Sequence, residues 1–482
     1  LPTGTSEAWI ASGTYTPDEG GGQTEGDRTS SFTVSAGVSL YGGFDGTDGA
    51  GGGALETDRS QRNSDPATNS TILTGDQGVD GFLGDNAYHV VSIAESASAV
   101  LDGFTIRNGF ASGASPNNSG AGIWGKSGSN LTLRNARLTD NAASGSRGNG
   151  GGIYSEGTLT VEDATLSGNS AARRGGGISG SGTFTNVTVE NNSADGSGGG
   201  ISGSGTFTNV TAKNNSTDGD GGGIYGDDNS TFTNVTAKNN SANGDGGGIS
   251  ASGNSAFTNT TVENNVANSN GGGIYSEGTL TVEDATLTGN SAAGGGGIYG
   301  GGTFTDVNVE NNSAQSRGGG GLYIVPTSTL TRVDIRGNES DGFRGDGGGL
   351  YSRGNVDLAE VTFVGNAAVN SRSGGGAYIE NATLRAVNVQ FIGNEASSRG
   401  GGLYLTSTGG SLTNTVFSGN TASSNGGGLF LGSNSSPPIV NSVFSANSAS
   451  GEGGAIYTDG TNNFSLIHNS VLWGNTASSS GN

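Results

Sequence analysis

The sequence contains no cysteine and no methionine, and lysine is rare among its 20 basic residues. The missing cysteine excludes a disulfide framework and a thiolate metal site. The missing methionine, absent even at position 1, leads us to expect a trimmed or processed piece of a longer product. No apolar run approaches the ~18 residues of a membrane span, and no signal peptide is present, so we expect no membrane insertion by this segment.

Apolar and basic residues are also scarce. Hydrophobic residues make up 30% of the chain. Glycine accounts for 97 of the 482 residues, and so much glycine would destabilise any α-helix. Only seven prolines occur and no Gly-X-Y period exists, which excludes collagen. The net charge of −22 at pH 7 repels nucleic acid and anionic lipid, so neither is an expected partner.

The apolar residues that remain recur on a fixed period. Residues 150–172 and 271–293 are near-copies of one another, and an Ile or Leu, or once an alanine (Ala377), follows each glycine run at spacings of 23–30 residues. An asparagine tracks this anchor coil by coil and marks about 14 regular coils, and we predict that it forms a structural ladder. Its members are Asn141, Asn169, Asn192, Asn215, Asn240, Asn265, Asn290, Asn312, Asn338, Asn366, Asn394, Asn420, Asn447 and Asn475.

One coil is predicted to contain three short strands. In residues 150–172, Ile153 lies in the first, Leu159 alternates with threonines in the second, and Leu166 lies in the third. Such strands are too short for a hairpin sheet, but each can pair with its equivalent one coil on. Coils stacked about 4.8 Å apart would span roughly 65 Å. Glycine runs and an asparagine after glycine, as at Asn169, suit left-handed corners, and stacked asparagines can exchange amide hydrogen bonds.

Several motifs resemble a known repeat. Residues 453–456 read GGAI, and an FxxN motif recurs at Phe363–Asn366, Phe391–Asn394, Phe417–Asn420 and Phe444–Asn447. The chain resembles the chlamydial polymorphic outer-membrane proteins and the wider group of surface proteins with right-handed parallel β-helix repeats. Residues 9–17, 38–44, 71–76, 88–91 and 101–106 are similar to the N-terminal stretch of the same proteins.

The resemblance implies the architecture. The fold is expected to be an all-β, right-handed, single-stranded parallel β-helix, a β-solenoid with three short strands per coil. Residues 1–107 would form irregular N-terminal coils with long loops, and residues 108–482 would continue them as regular repeats. The resemblance also implies truncation at both ends.

The residue after the anchor Ile or Leu is aromatic in eight successive coils, and we predict that it faces solvent. An exposed aromatic stripe would stack on sugars or seal a lateral contact, whereas the alternative is that the rings brace adjacent coils. Earlier coils place Trp124, Tyr154 and Tyr225 or serines at this position. The stripe comprises Tyr275, Tyr299, Tyr323, Tyr351, Tyr378, Tyr404, Phe430 and Tyr457.

Two further kinds of site are candidates. Asn-X-Ser/Thr sequons predict glycosylation of a secreted chain at Asn186, Asn209 and Asn234, with chance as the alternative, because asparagine, serine and threonine are abundant. Asp76, Asp80 and Asp85 form an oxygen-rich loop that is a weak candidate for calcium, with a solvated loop as the alternative. No other metal or cofactor is expected.

Signals for catalysis are poor. The two histidines are hundreds of residues apart, no nucleophile elbow, phosphate loop or zinc helix occurs, and the near-copies argue against a catalytic face. We therefore expect a non-catalytic extracellular or cell-surface protein, a rigid rod or filament subunit that associates with itself head-to-tail or laterally. The alternative is an adhesin that binds surface glycans through the aromatic stripe. A polysaccharide-acting enzyme and an ice-binding protein, the latter suggested by Thr-X-Thr repeats, are further alternatives.

Overall fold

The structure, a computed structural model, describes residues 7–19, 22–46, 58–68, 70–343, 346–460 and 465–479. In these ranges the chain is built of β-strands, with short 3-10 helices at Arg59–Gln61 and Leu83–Asp85. No helix within them is long and apolar enough to cross a membrane. The chain divides into two compact units, unit 1 (residues 1–231 and 240–242) and unit 2 (residues 232–239 and 243–482). The predicted boundary between residues 107 and 108 concerns coil regularity and stays a prediction.

The first coils of unit 1 already pair in parallel, in the same pattern as later coils. Val38–Phe44 lies between Glu7–Ala11 and Ser98–Asp102, and Ser98–Asp102 pairs in turn with Asn130–Thr139. The strands before the regular repeats are Glu7–Ala11, Gly13–Tyr15, Phe32–Val34, Val38–Phe44, Thr71–Thr74, Val91–Ile93, Ser98–Asp102 and Phe104–Arg107.

In the regular coils the first strand begins at the anchor residue, as the sequence predicts. Ile153 pairs with Ile123 on one side and with Ile178 on the other, and Leu350 of unit 2 pairs with Leu322 and Ala377. The strands that begin at the anchor are Ile123–Gly125, Ile153–Ser155, Ile178–Ser179, Ile201–Ser202, Ile224–Gly226, Ile249–Ala251, Ile274–Glu283, Ile298–Glu310, Leu322–Ile324, Leu350–Ser352, Ala377–Glu380, Leu403–Thr406, Leu429–Leu431 and Ile456–Thr458.

The second and third strands follow, and in some coils they fuse into one. Every pairing between them is parallel, which confirms the predicted parallel β-solenoid. These strands are Asn130–Thr139, Thr158–Ser167, Gly182–Glu190, Gly205–Thr208, Thr211–Lys213, Thr231–Thr233, Thr236–Lys238, Ser255–Thr258, Thr261–Glu263, Thr286–Thr288, Ser328–Arg336, Val356–Ala359, Thr362–Val364, Thr383–Val387, Gln390–Ile392, Gly409–Thr413, Val416–Ser418, Ile439–Val440, Val443–Ser445, Ile467–His468 and Val471–Trp473.

A fourth, short strand follows the ladder asparagine and was not predicted. Its second residue is small and buried, as Ala143 and Ala171 are in unit 1. These strands are Ala142–Ala143, Ser170–Ala171, Ser193–Ala194, Ser216–Thr217, Ser241–Ala242, Val266–Ala267, Ser291–Gly294, Ser313–Gly318, Glu339–Ser340, Ala367–Ala368, Glu395–Ala396, Thr421–Ala422, Ser448–Ala449 and Thr476–Ala477.

The core of each unit is a narrow column of stacked side chains. Leu159 and Leu166 are fully buried while the threonines between them point outward, so the predicted alternation is correct. Phenylalanines stack on one another inside the column. In unit 2 the ring of Phe391 lies 4.7 Å from that of Phe363 and 4.8 Å from that of Phe417. Such offset stacking adds to the free energy gained from burial.

The ladder asparagines from Asn141 to Asn447 are buried, and inside the ladder each amide bonds the coils on both sides. In unit 2, the Oδ1 of Asn312 accepts from the backbone N and the Nδ2 of Asn290, both at 2.9 Å. Its Nδ2 donates to the Oδ1 of Asn338 and to the carbonyl of Leu287, both at 3.0 Å. In unit 1, Asn169 bonds Asn192 in the same way. Every polar atom of the amide therefore has its partners only when the coils are in register.

The left-handed corner lies one residue earlier than predicted. Gly168 has φ +67°, whereas Asn169 is not in the left-handed region. The equivalent residues Asp140 and Asn191 also have positive φ, at 55° and 56°. The turn is made before the asparagine because the asparagine must direct its amide inward to the ladder, where Asn169 is 1% exposed.

The glycine run is required by close backbone contact between coils. A Cβ on Gly151 would lie 2.3 Å from the carbonyl oxygen of Ser170, and one on Gly152 would lie 2.6 Å from that of Gly177. The backbone of this run donates from coil to coil, for example from the N of Gly152 to the O of Gly176 at 3.2 Å. Side chains are excluded here because backbone fills the space.

Replacing a ladder residue will destabilise unit 2. In Asn312→Ala, the N and Nδ2 of Asn290 and the carbonyl of Leu287 lose their buried partners, so we expect the free energy of unfolding to fall by about 3 kcal/mol. Urea unfolding followed by circular dichroism measures it. Asn308→Ala, an exposed asparagine in the same coil, is the matched control and should change it by less than about 0.5 kcal/mol. If both variants lowered the free energy of unfolding equally, the ladder would contribute no more to stability than an exposed asparagine does.

Adding a methyl group to the glycine run will also destabilise unit 2. In Gly376→Ala, the new Cβ would lie 2.5 Å from the carbonyl oxygen of Gly402 and 2.9 Å from the ring of Phe391, so the coils must separate. We expect a loss of about 1–3 kcal/mol, measured as a lower Tm and urea midpoint. Gly409→Ala, whose Cβ would have nothing within 4 Å, should leave both unchanged.

Candidate functional site

The predicted aromatic stripe is a packed column within unit 2. Successive ring centroids lie between 4.5 Å, for Tyr299 and Tyr323, and 5.6 Å, for Tyr351 and Tyr378. The prediction that this position faces solvent is wrong for Tyr323, Tyr351 and Phe430, which are 8%, 5% and 0% exposed. The physical reason is that rings at this separation cover one another's faces. The partly buried members of the column are Tyr275, Tyr299, Tyr378, Tyr404 and Tyr457.

Polar groups along the column hold its rings in place. The hydroxyl of Tyr351 donates to the carboxylate of Glu380, and the Nε of Arg353 donates to the same carboxylate at 2.6 Å. Burial raises the pKa of Tyr351 and of Tyr378 well above the ordinary phenol value, so both stay neutral. These contacts favour the bracing interpretation.

The same strand position is organised differently in unit 1. Tyr154 pairs in register with Trp124, and in the following coils the position is held by Ser179 and Ser202. Unlike the rings of unit 2, Trp124 and Tyr154, both within the described residues, make no stacking contact with each other. Both are half-buried and line a cavity of 440 Å³.

Two side chains pack against the indole of Trp124. The ring of His89 lies 4.7 Å from it, and the Nζ of Lys126 lies 4.7 Å from its centroid. His89 is 5% exposed, and its Nδ1 is 3.1 Å from the carbonyl oxygen of Gly120. Burial lowers the pKa of His89, so the imidazole is neutral near pH 7 and donates from Nδ1. A neutral imidazole therefore packs against the indole of Trp124.

Two arginines and one carboxylate complete the cavity lining. Arg147 and Arg173 are exposed and come from the two glycine-rich corners on either side of Tyr154. Glu156 lies two residues after Tyr154. Sequence reasoning missed this constellation. The signals that could have revealed it are the 30-residue spacing between Ile123 and Ile153, the longest in the chain, and the interruption of the aromatic pattern by serines.

The acidic loop uses its carboxylates to hold its own backbone. The Oδ2 of Asp85 accepts from the N of Val79 at 2.8 Å, and the Oδ2 of Asp76 accepts weakly from the N of Gly81 at 3.4 Å. Burial and the neighbouring charges of Asp80 and Asp85 raise the pKa of Asp76. No group of three or more histidines and carboxylates in the described ranges is arranged to hold a metal ion, so the geometry does not support the calcium candidate.

The three predicted glycosylation sites lie at exposed left-handed corners. Asn186, Asn209 and Asn234 have φ near +55°, at 55°, 54° and 54°. The Nδ2 of Asn186 donates to the Oδ1 of Asp163 at 2.8 Å, and that of Asn209 donates to the Oδ1 of Asn186 at 2.9 Å. A glycan would be attached at an atom that already bonds the neighbouring coil, and glycosylation stays a prediction.

These sites belong to a second polar column that sequence reasoning missed. A residue six positions before each ladder asparagine has positive φ, and polar side chains there bridge successive coils, as Arg332 does to Asp306 at 2.7 Å. The constant six-residue offset between Asn186 and Asn192, or between Asn209 and Asn215, was the available signal. The residue type at this position varies between coils because the corner requires only a left-handed backbone conformation.

Comparison with known proteins identifies the repeat but no relative of established function. The sequence model of the family described as "Right handed beta helix region" matches residues 83–225, 146–292 and 320–480, which together cover more than half of the chain. The first two matches overlap over residues 146–225. No curated protein matches the chain.

Removing one ring from the column of unit 2 will lower stability. The ring of Tyr378 lies 4.6 Å from that of Tyr404 and 5.6 Å from that of Tyr351. In Tyr378→Ser both neighbours lose a stacked face, and we expect a loss of about 3–5 kcal/mol, seen as a lower Tm. Tyr378→Phe keeps the ring and should be nearly neutral. An unchanged Tm in Tyr378→Ser, with lost binding on a glycan array, would instead identify the column as a binding surface.

Proposed function

Because the chain belongs to the right-handed β-helix family, we propose that it is a non-catalytic structural protein of an extracellular or cell surface. In this role the stacked coils form a stiff scaffold that associates with further copies of itself. The observation that carries the proposal is the buried asparagine ladder, in which each amide is bonded to both neighbouring coils.

Stiffness follows from the number of bonds that must break together. To open one coil, the chain must lose parallel backbone hydrogen bonds on both sides, two amide exchanges in the ladder and the stacking of core rings. Phe363, Phe391 and Phe417 of unit 2 stack inside the coils while Tyr378 and Tyr404 stack on the other side of the first strand. Local unfolding of any single coil therefore costs much free energy, which would protect an extracellular scaffold from proteases.

The charges on the surface of the protein support an extracellular location. Several basic side chains bridge to acids on the adjacent coil, as Lys213 does to Glu190 at 2.7 Å and Arg332 to Asp306 at 2.7 Å. These pairs are exposed and contribute little energy each. The large acidic excess keeps the chain soluble and repels polyanions such as nucleic acid.

Protease resistance and location test the proposal together. The Lys213 and Arg353 side chains are 44% and 60% exposed, yet both residues lie in stacked coils, so trypsin should cut the native chain far more slowly than the heat-unfolded chain. Gold-labelled antibody on intact, unpermeabilised source cells should mark the outer surface. Rapid cleavage within the coils, label confined to the cell interior, or depolymerisation of a polysaccharide by the purified chain would contradict it.

A further inference from the structure

We propose that two neighbouring rings of the aromatic column, Tyr323 and Tyr351, form a site of oxidative cross-linking. A one-electron oxidant of the haem peroxidase class, supplied with hydrogen peroxide, joins them through a carbon–carbon bond as dityrosine. The bond links two successive coils of unit 2 covalently. The inference goes beyond the scaffold role and does not depend on it, because it concerns only the chemistry of the two phenols.

Parallel pairing of the first strands places the two phenols next to each other. Tyr323 pairs in register with Tyr351. Their ring centroids are 4.7 Å apart and the ring planes are inclined by 37°, whereas the other tyrosine pairs of the column are inclined by 5° to 26°. Inclination brings one edge of each ring closer to the other ring than the centroids are. Dityrosine joins ring edges, so this pair is the best arranged for coupling.

A bound base accepts the proton that a phenol loses when it is oxidised. The hydroxyl of Tyr351 donates to the carboxylate of Glu380, whose side chain is 17% exposed. Burial raises the pKa of Tyr351, so the phenol is protonated and must lose its electron and its proton together. Arg353 donates from its Nε to the same carboxylate at 2.6 Å and holds this acceptor in place. Glu380 therefore favours Tyr351 as the ring on which a radical forms.

The buried pair is reached through its neighbours in the column. Tyr323 and Tyr351 are 8% and 5% exposed, so a bulky oxidant has little direct access to them. Tyr299 and Tyr378 are half-buried, and their ring centroids lie 4.5 Å from Tyr323 and 5.6 Å from Tyr351 respectively. An electron can pass from the inner pair to an oxidised outer ring across these short distances.

The atoms and electrons of the reaction balance. Each phenol gives up one electron and its hydroxyl proton, which passes from Tyr351 through Glu380 to water and from Tyr323 directly to water. The two radicals form a bond between one Cε carbon of each ring. The hydrogens on these carbons then move to the phenolic oxygens, which restores both aromatic rings. The two electrons and two protons that are released reduce one hydrogen peroxide to two waters.

Oxidation of the full chain followed by peptide mapping tests the proposal. The dilute protein is treated with a haem peroxidase and hydrogen peroxide, then unfolded and digested with trypsin. We expect residues 318–332 and 345–353, each of which contains one tyrosine, to be recovered as a single species. Its mass should be two hydrogen atoms below the sum of the two peptides, and it should show dityrosine fluorescence. Absence of this species when other tyrosines are oxidised, or bonds only between different copies of the chain, overturns the proposal.

Matched variants assign the two roles. Tyr351→Phe keeps the stacked ring but removes the phenol, so the joined species should be lost with little change in Tm. Tyr154→Phe removes a tyrosine of unit 1 whose neighbours in register are Trp124 and Ser179, and should leave the yield unchanged. Equal yields in these two variants would overturn the assignment to Tyr351.

Glu380→Gln tests the positioned base. This variant keeps the shape of the side chain but removes the proton acceptor, so the joined species should form at least about tenfold more slowly. Tyr351→Phe and Glu380→Gln are also compared by Tm, so that a loss of cross-linking is not caused by unfolding. An unchanged rate in folded Glu380→Gln would overturn the role of Glu380.

Discussion

The stacking of one buried asparagine on the next is the constraint on which the rest of the structure depends. An amide in an apolar column is costly unless both its oxygen and its nitrogen are bonded, and here the partners are supplied by the coils on either side. Asn312 meets this requirement through Asn290, Asn338 and Leu287. A slip of one residue in any coil would leave several buried polar atoms unpaired. The ladder therefore fixes the register that every strand, corner and ring column follows.

Glycine and the low apolar content follow from the same stacking. Coils approach so closely at the glycine run that a Cβ on Gly152 would collide with the next backbone. Because each coil encloses only a narrow column, a few side chains such as Leu159 and Leu166 fill it. A globular core is stabilised by the large apolar area that it buries. Here stability accumulates coil by coil, because every added coil buries the exposed end of the previous one.

The two units use one strand position for different purposes. In unit 2 the rings at this position stack on one another, and burial raises the pKa of Tyr351 and of Tyr378. In unit 1 serines replace rings at residues 179 and 202. Two cavities lie beside this strand position in unit 1, one lined by Trp124 and Tyr154 and the other by Ser179 and Ser202.

The sequence by itself determined the parallel solenoid, the first three strands of each coil, the inward residues and the asparagine ladder. These features are repeated at a fixed offset, and each is set by residues within one coil, so Ile153, Leu159 and Asn169 could be placed without coordinates. The sequence did not reveal the short fourth strand, the left-handed position at Gly168 or the burial of Tyr351 and Phe430. Whether a ring faces solvent depends on how closely the next coil brings its neighbour. The cavity beside Trp124 arises from loops that belong to different coils. Both are decided by distances between coils, which only the tertiary structure specifies.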